Sequence, residues 1–170
     1  MWLIFLLGTA CLITAAVGAY SLAPWLPSFE RDLTRVFALA ALKKGERFYD
    51  LGSGDGRLVR YAARNFGALS QGIEIALPLY LWSVVVQAWQ AIPGVSYRCR
   101  NLFGTNLSDA DVVYIFGRPG KLGQRIAHKF TAELKPGTRV ISYAFPLEGR
   151  TATHVDKPTS RDLSIYFYRF

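Results

Sequence analysis

The chain runs through a short apolar stretch into Tyr49-Asp50-Leu51-Gly52-Ser53-Gly54-Asp55-Gly56, and a helical pattern starts at Leu58. An apolar run that ends on an acid and then places glycine at every second position predicts a strand turning sharply into a helix. Glycine reaches backbone angles closed to other residues and lets a ligand approach the main chain. Such a turn presents backbone N–H groups at the carboxyl edge of a sheet, where open α/β sheets hold their ligands. A glycine-rich turn alone can also be no more than a tight connection. The spacing narrows the ligand: a dinucleotide fingerprint needs glycines at positions one, three and six, and the sixth position from Gly52 is Arg57.

The rest of the chain supplies the sheet. β-rich runs at 47–51, 70–75, 95–99, 111–116 and 138–145 alternate with helical stretches at 58–66, 78–91 and 120–134. That alternation predicts a parallel sheet covered on both faces. An earlier helix is expected over 29–42, with Ser28 as its N-cap and Leu33, Val36, Phe37 and Ala40 on one side. The tail departs from the pattern. Runs at 151–155 and 163–170 are joined by Lys157-Pro158-Thr159-Ser160 with no helix between them, so an antiparallel hairpin should close the sheet edge. The helix at 78–91 has almost no polar face. A helix apolar all round is buried or lipid-facing, and this one is too short to span a bilayer; burial and membrane contact both stay open.

The amino terminus carries much of the apolar excess in a chain of 170 residues that is 51% hydrophobic. Residues 2–20 read WLIFLLGTACLITAAVGAY without a charge, close to the length that crosses a bilayer as a helix. Trp2, Tyr20 and Trp25 fall where an interfacial aromatic belt would lie. No basic residue precedes Trp2, as a cleaved signal peptide would want, whereas Arg31, Arg35, Lys43 and Lys44 follow and hold the carboxyl side in the cytoplasm. A buried core helix is the alternative. The expected organisation is a membrane anchor over 1–22 and one domain over 23–170 on the cytoplasmic side. Cys11, Cys99, His128 and His154 have no metal or redox spacing. The net charge of +8 fits an anionic membrane surface, an acidic partner or nucleic acid. Arg118, Lys121, Arg125 and Lys129 recur at helical spacing, a pattern that is usually a solvated face.

The form D-x-G-x-G-x-G resembles motif I of the class I S-adenosylmethionine-dependent methyltransferases, whose seven-stranded domain also has this order of strands, helices and terminal hairpin. The resemblance implies an α/β, Rossmann-like class I methyltransferase domain: a mostly parallel seven-stranded sheet with a C-terminal antiparallel hairpin, here preceded by a transmembrane helix. Its cofactor would be S-adenosyl-L-methionine. Asp50, Gly52, Ser53, Gly54 and Gly56 would face the methionine part. Glu74, one residue from the end of the second strand, would accept both ribose hydroxyls; its plainer role is to cap the next helix. At the third strand end such enzymes often carry an acid for the adenine amino group. Asn101 stands there and could use its side-chain carbonyl, with the Leu102 N–H toward the ring; a turn-forming asparagine is the alternative. The fourth strand end, Phe116-Gly117-Arg118-Pro119-Gly120, would face the acceptor, making Phe116, Arg118 and Pro119 the catalytic-side candidates. No N-P-P-Y-type tetrad is present, which argues against nucleobase methylation, and no nucleic-acid partner is expected.

A narrower resemblance rests on several pieces together: Leu26-Pro27-Ser28 after a hydrophobic segment, the glycine loop with Arg57, Gly72-Ile73-Glu74-Ile75, a helix bearing Trp82 and Trp89, and Phe116-Gly117-x-Pro119. It is similar to the membrane-associated mitochondrial protein-lysine methyltransferases and their prokaryotic relatives. That implies a lysine of a membrane protein as acceptor, with Phe116, Trp25, Tyr80 and Tyr143 as candidate aromatic guides. Two further readings share parts of this sequence: a methyltransferase for a lipid or other small molecule, and a non-catalytic membrane-tethered binding module.

Overall fold

Strand β1 (Arg47–Leu51) is buried along all but its first residue, and its side chains alternate between two cores. Phe48 faces one core while Tyr49 and Leu51 face the other, as the two-residue period of a strand requires. In the computed structural model, residues 2, 8, 9, 12, 30–117 and 119–170 are described, without the side chains of Glu30 and Lys121. The following elements are α1 (Glu30–Ala40), α2 (Arg57–Phe66), β2 (Leu69–Glu74), α3 (Leu77–Gln90), β3 (Val95–Cys99) and a 3₁₀ turn (Leu102–Gly104). Then come β4 (Val112–Ile115), α4 (Lys121–Glu133), β5 (Arg139–Tyr143), β6 (His154–Asp156) and β7 (Ile165–Arg169).

The seven strands form one sheet in the order β3-β2-β1-β4-β5-β7-β6. The first five are parallel, and β7 runs antiparallel between β5 and β6. The expected hairpin therefore closes the edge, with the short β6 outermost. The chain leaves β1 toward β3 and later returns to β4 on the other side of β1. This reversal makes the carboxyl ends of β1 and β4 the crevice of the sheet.

Helix α1 buries Leu33, Val36, Phe37 and Ala40, the face expected from spacing, against Phe48, Tyr114 and Ile141. Helix α2 joins the same core through Leu58 and Ala62. Right-handed crossovers put α3 on that side too, over β2 and β3. The opposite core contains Ile126 and Phe130 of α4 with Leu51, Ile73, Val113 and Ile115.

One expectation changes, and one of two readings left open for α3 falls away. The basic stripe is not a uniformly solvated face. Lys129 is buried, and its Nζ donates to Thr105 O at 2.6 Å and to both Glu133 oxygens at 2.6 and 2.7 Å. The Arg125 guanidinium lies 4.1 Å over the Phe103 ring; Arg118 and the Lys121 side chain lie outside the described residues. Nor is α3 buried against a neighbour, since Ser83 is its one buried residue. The anchor expected over 2–20, with Trp25 and Ser28, falls almost wholly outside the described residues. Among the described residues, no helix is long and apolar enough to cross a membrane.

Candidate active site

The turn after β1 is built by three glycines with positive φ, Gly52 at 85°, Gly54 at 55° and Gly56 at 74°. Only glycine adopts these angles without strain. The loop then bonds back onto the sheet. Gly52 N and Ser53 N both donate to Ile73 O, at 2.8 and 3.1 Å, and Gly56 N donates to Ser53 O at 2.8 Å. Gly54 N donates to Glu74 Oε2 at 2.8 Å. The N–H groups that the sequence suggested as free are thus consumed inside the loop, which becomes a rigid platform.

Three side chains from outside the motif lock it. Tyr97 of β3 donates its hydroxyl to Gly56 O at 3.0 Å, while Arg60 reaches both that hydroxyl, at 3.2 Å, and Asp55 O, at 2.8 Å. Burial, partly opposed by Arg60, pushes the Tyr97 phenol up to about 12. Ser83, fully buried in α3, donates to Gly54 O at 3.1 Å. Sequence reasoning found neither Tyr97 nor Ser83. A lone serine inside Trp82-Ser83-Val84 was the available signal, because a polar residue in an apolar helix needs a partner.

Tyr97 also explains Gly72. A Cβ there would lie 2.6 Å from Tyr97 Cδ1 and 2.7 Å from Ser53 Oγ. Ser53 is accordingly packed down toward β2, with its N–H already bonded to Ile73 O, rather than presented upward. Gly72→Ala should cost about 1–3 kcal/mol through overpacking. In a Tyr97→Ala background denaturant unfolding should show a smaller penalty, by roughly 1 kcal/mol; additive losses would refute the contact.

Glu74 is buried at 7% exposure. Beyond Gly54 N, its Oε1 accepts from Ile75 N and Ala76 N, each at 2.8 Å. The carboxylate thus does two jobs, holding the glycine loop and capping the lead into α3. A carboxylate has about four acceptor sites, so the three backbone bonds leave acceptor capacity for a ligand hydroxyl. Asp50, at 2% exposure, sits beneath the loop. Burial first, then the neighbouring Glu74 and Asp55 charges, raise its carboxyl well above the usual range.

At the third strand end, Asn101 Oδ1 accepts from Phe103 N at 3.0 Å and caps the 3₁₀ turn. The turn-forming reading of Asn101 is therefore realised. Leu102 starts that turn and is buried, and its N–H is one the turn itself leaves without an internal partner. At the fourth, Phe116 is half-buried and meets Tyr143 edge-on at 5.0 Å and Phe145 in a stacked pair at 6.4 Å. Pro119 is exposed, and Arg118 lies outside the described residues. Tyr143 is fully buried and bonds Asp32, so it backs Phe116 instead of guiding an acceptor. Tyr80 is half-buried.

The ANTKMT methyltransferase domain model matches residues 50–154, a segment holding every one of these site residues. The chain belongs to this family. It is a class I S-adenosylmethionine-dependent methyltransferase. A protein-lysine N-methyltransferase of Saccharolobus islandicus is 30% identical over 85% of the chain and 92% of its own length. The adenine nucleotide translocase lysine N-methyltransferase of Mus musculus is 33% identical over 73% of the chain, which spans only 54% of that longer protein. A Salinibacter ruber structure described as an RNA methyltransferase in complex with S-adenosyl-L-homocysteine superposes with a TM-score of 0.79. It is 30% identical over 85% of the chain and 93% of its own.

The donor set suits the methyltransferase cofactor. A pyrophosphate wants free N–H groups and positive potential, and here the amides of Gly52, Ser53, Gly54 and Gly56 are occupied and the buried Glu74 carboxylate lies beside them. S-adenosylmethionine carries an ammonium and a sulfonium, so the same potential favours it. The raised Asp50 carboxyl has a pH consequence. The unfolded chain loses this proton near 3.8 while the folded chain keeps it to higher pH. Above 3.8 the folded state therefore binds more protons, and Asp50 makes stability fall as pH rises through the window up to its folded value. Asp50→Asn should remove that fall. Thermal midpoints without cofactor should lie above the parent's at about pH 7 and close to it below about pH 4; a parental midpoint at neutral pH would refute this.

Proposed function

We propose that this methyltransferase places methyl groups on the ε-amino group of a lysine in a membrane protein, with residues 2–20 as a single-pass anchor and the domain on the cytoplasmic side. The observation that carries the acceptor reading is the aromatic wall of Phe116, Tyr143 and Phe145 at the carboxyl end of β4 and β5. It lacks the hydrogen-bonding tetrad a nucleobase amine would want. The name and full-length match of the archaeal relative support lysine, and the uncharged residues 2–20 support the anchor.

When bound, S-adenosylmethionine supplies a methyl group on a positively charged sulfur, open to direct displacement. The protein's task is alignment and exclusion of water. A lysine must arrive neutral, which costs roughly 4.6 kcal/mol at pH 7 from a pKa of about 10.4. An apolar wall such as Phe116 reduces that cost by disfavouring the hydrated ammonium, while the rings still attract a cation to their faces. Asp50, Glu74 and the locked loop hold the donor side.

Full-length chain should be incubated with methyl-labelled S-adenosylmethionine and membranes. Label recovered as methyl-lysine after protein hydrolysis is expected. Label confined to extractable lipid would replace this reading with a lipid methyltransferase. Label in added RNA, the substrate class in the name of the Salinibacter protein, would overturn it.

A further inference from the structure

Helix α3 is built inside out. Its outward residues, Pro78, Leu81, Trp82, Val85, Ala88 and Trp89, follow one helical stripe, and every one is apolar. Leu81 is 45% exposed, Trp82 58%, Val85 62% and Trp89 84%. Two polar residues turn inward, Ser83 to Gly54 O and Gln87 to Ile92 O, and the third, Gln90, ends the helix beside Arg64. Water should not face a stripe like this, and contiguous exposed apolar surface marks an interaction site.

The surroundings indicate what covers it. From Gly56 to Ser108 the one acid is the buried Glu74, against Arg57, Arg60, Arg64, Arg98 and Arg100. Arg98 and Arg100 are exposed at the edge strand β3 next to α3. At the other end of the helix, Arg64 donates to Gln90 Oε1 at 3.0 Å and lines a recess with Lys44, Leu69, Ile92 and Pro93. An apolar stripe with tryptophans about 10 Å apart along the axis, flanked by cations and with the neighbouring Asp55 held in an ion pair by Arg57, matches the interface of an anionic bilayer. Tryptophan favours the headgroup level, long basic side chains reach phosphates while their stems stay apolar, and each cation adds attraction to anionic lipid.

We propose that the outward stripe of α3 lies in the interfacial layer of an anionic membrane, parallel to its surface. This contact is separate from residues 2–20 and from the chemistry of the acceptor. Leu77 and Ala76, at the start of α3, adjoin the Glu74 carboxylate, so seating the helix brings the donor side of the crevice close to the headgroups.

The test uses the full chain with Cys11→Ser and Cys99→Ser, carrying a polarity-sensitive dye through Val85→Cys or, as a control on the opposite face, Gln124→Cys. Each is combined with vesicles of phosphatidylcholine alone or with phosphatidylglycerol. The dye at position 85 should shift to the blue and be quenched by brominated lipid tails in phosphatidylglycerol vesicles, and the dye at 124 should not. At about 1 M salt, where the Debye length falls to about 3 Å, the extra response to phosphatidylglycerol should disappear. A water-like dye at 85 in every vesicle would overturn the proposal. So would a blue shift without lipid accompanied by a doubled hydrodynamic mass, which would assign the stripe to a second copy of the chain. Burial of the dye only after adding a protein acceptor would overturn it too. None of these readouts depends on methyl transfer.

Discussion

Glu74→Ala is expected to weaken S-adenosylmethionine binding at least ~100-fold, about 2.7 kcal/mol. Three losses add in the same direction. The loop loses the acceptor of Gly54 N, and the lead into α3 loses the acceptor of Ile75 N and Ala76 N. Hydrogen bonds to a charged group contribute about 1.5–3 kcal/mol. The pocket also loses a negative charge beside a cationic ligand. Glu74→Gln separates these effects, because it keeps one carbonyl acceptor and loses the charge; roughly 10-fold weakening is expected. Calorimetry with S-adenosylmethionine and with S-adenosylhomocysteine reads the charge directly. The amide should narrow the preference for the sulfonium form, since the thioether carries no charge at sulfur. Parental affinity in Glu74→Ala would remove the basis for the donor site.

That prediction started from a position visible in the sequence, and the reason is local. An acid at the end of one strand and alternate glycines after another are features of neighbouring residues, set by turn geometry and by the two-residue period of strands. The β1 and β3 bounds agree with the sequence reading, and the others differ by one or two residues except the start of β6, which falls three residues later; element ends are the least certain part of such a reading. What escaped was long-range. Tyr97 reads as an ordinary strand residue, and only the pairing of β2 with β3 sets it opposite Gly72 and over Gly56. Lys129 had the spacing of a solvated stripe, but the segment after β3 folds Thr105 O against it. Tyr143 suggested an acceptor-side aromatic because strand ends face the crevice, yet α1 reaches it with a carboxylate.

That contact supports the second large effect, a loss of about 3 kcal/mol of stability in Asp32→Ala. Asp32 is 2% exposed, accepts the Tyr143 hydroxyl at 2.5 Å and pairs with Arg35 Nη1 at 2.9 Å. Arg35 continues to Asp156 Oδ2 at 2.6 Å and to the Leu163 carbonyl at 3.1 Å. One network therefore joins α1, the end of β5 and the terminal hairpin. Removing one member of a buried pair costs about 3–5 kcal/mol, and the lower end applies because Arg35 keeps Asp156 and remains 18% exposed. For a chain of this size the thermal midpoint should fall by about 10 °C. Tyr143→Phe removes a single hydroxyl and should cost about 1 kcal/mol. The double variant should lose less than the sum, because Asp32→Ala already leaves that hydroxyl without its acceptor. Methyl transfer should separate the two. The phenylalanine keeps its edge against Phe116 and should retain near-parental kcat, whereas Asp32→Ala loosens the wall behind Phe116 and should lower kcat more than it raises the KM for the cofactor. A midpoint within about 2 °C of the parent in Asp32→Ala would show that the hairpin and α1 are held by packing alone.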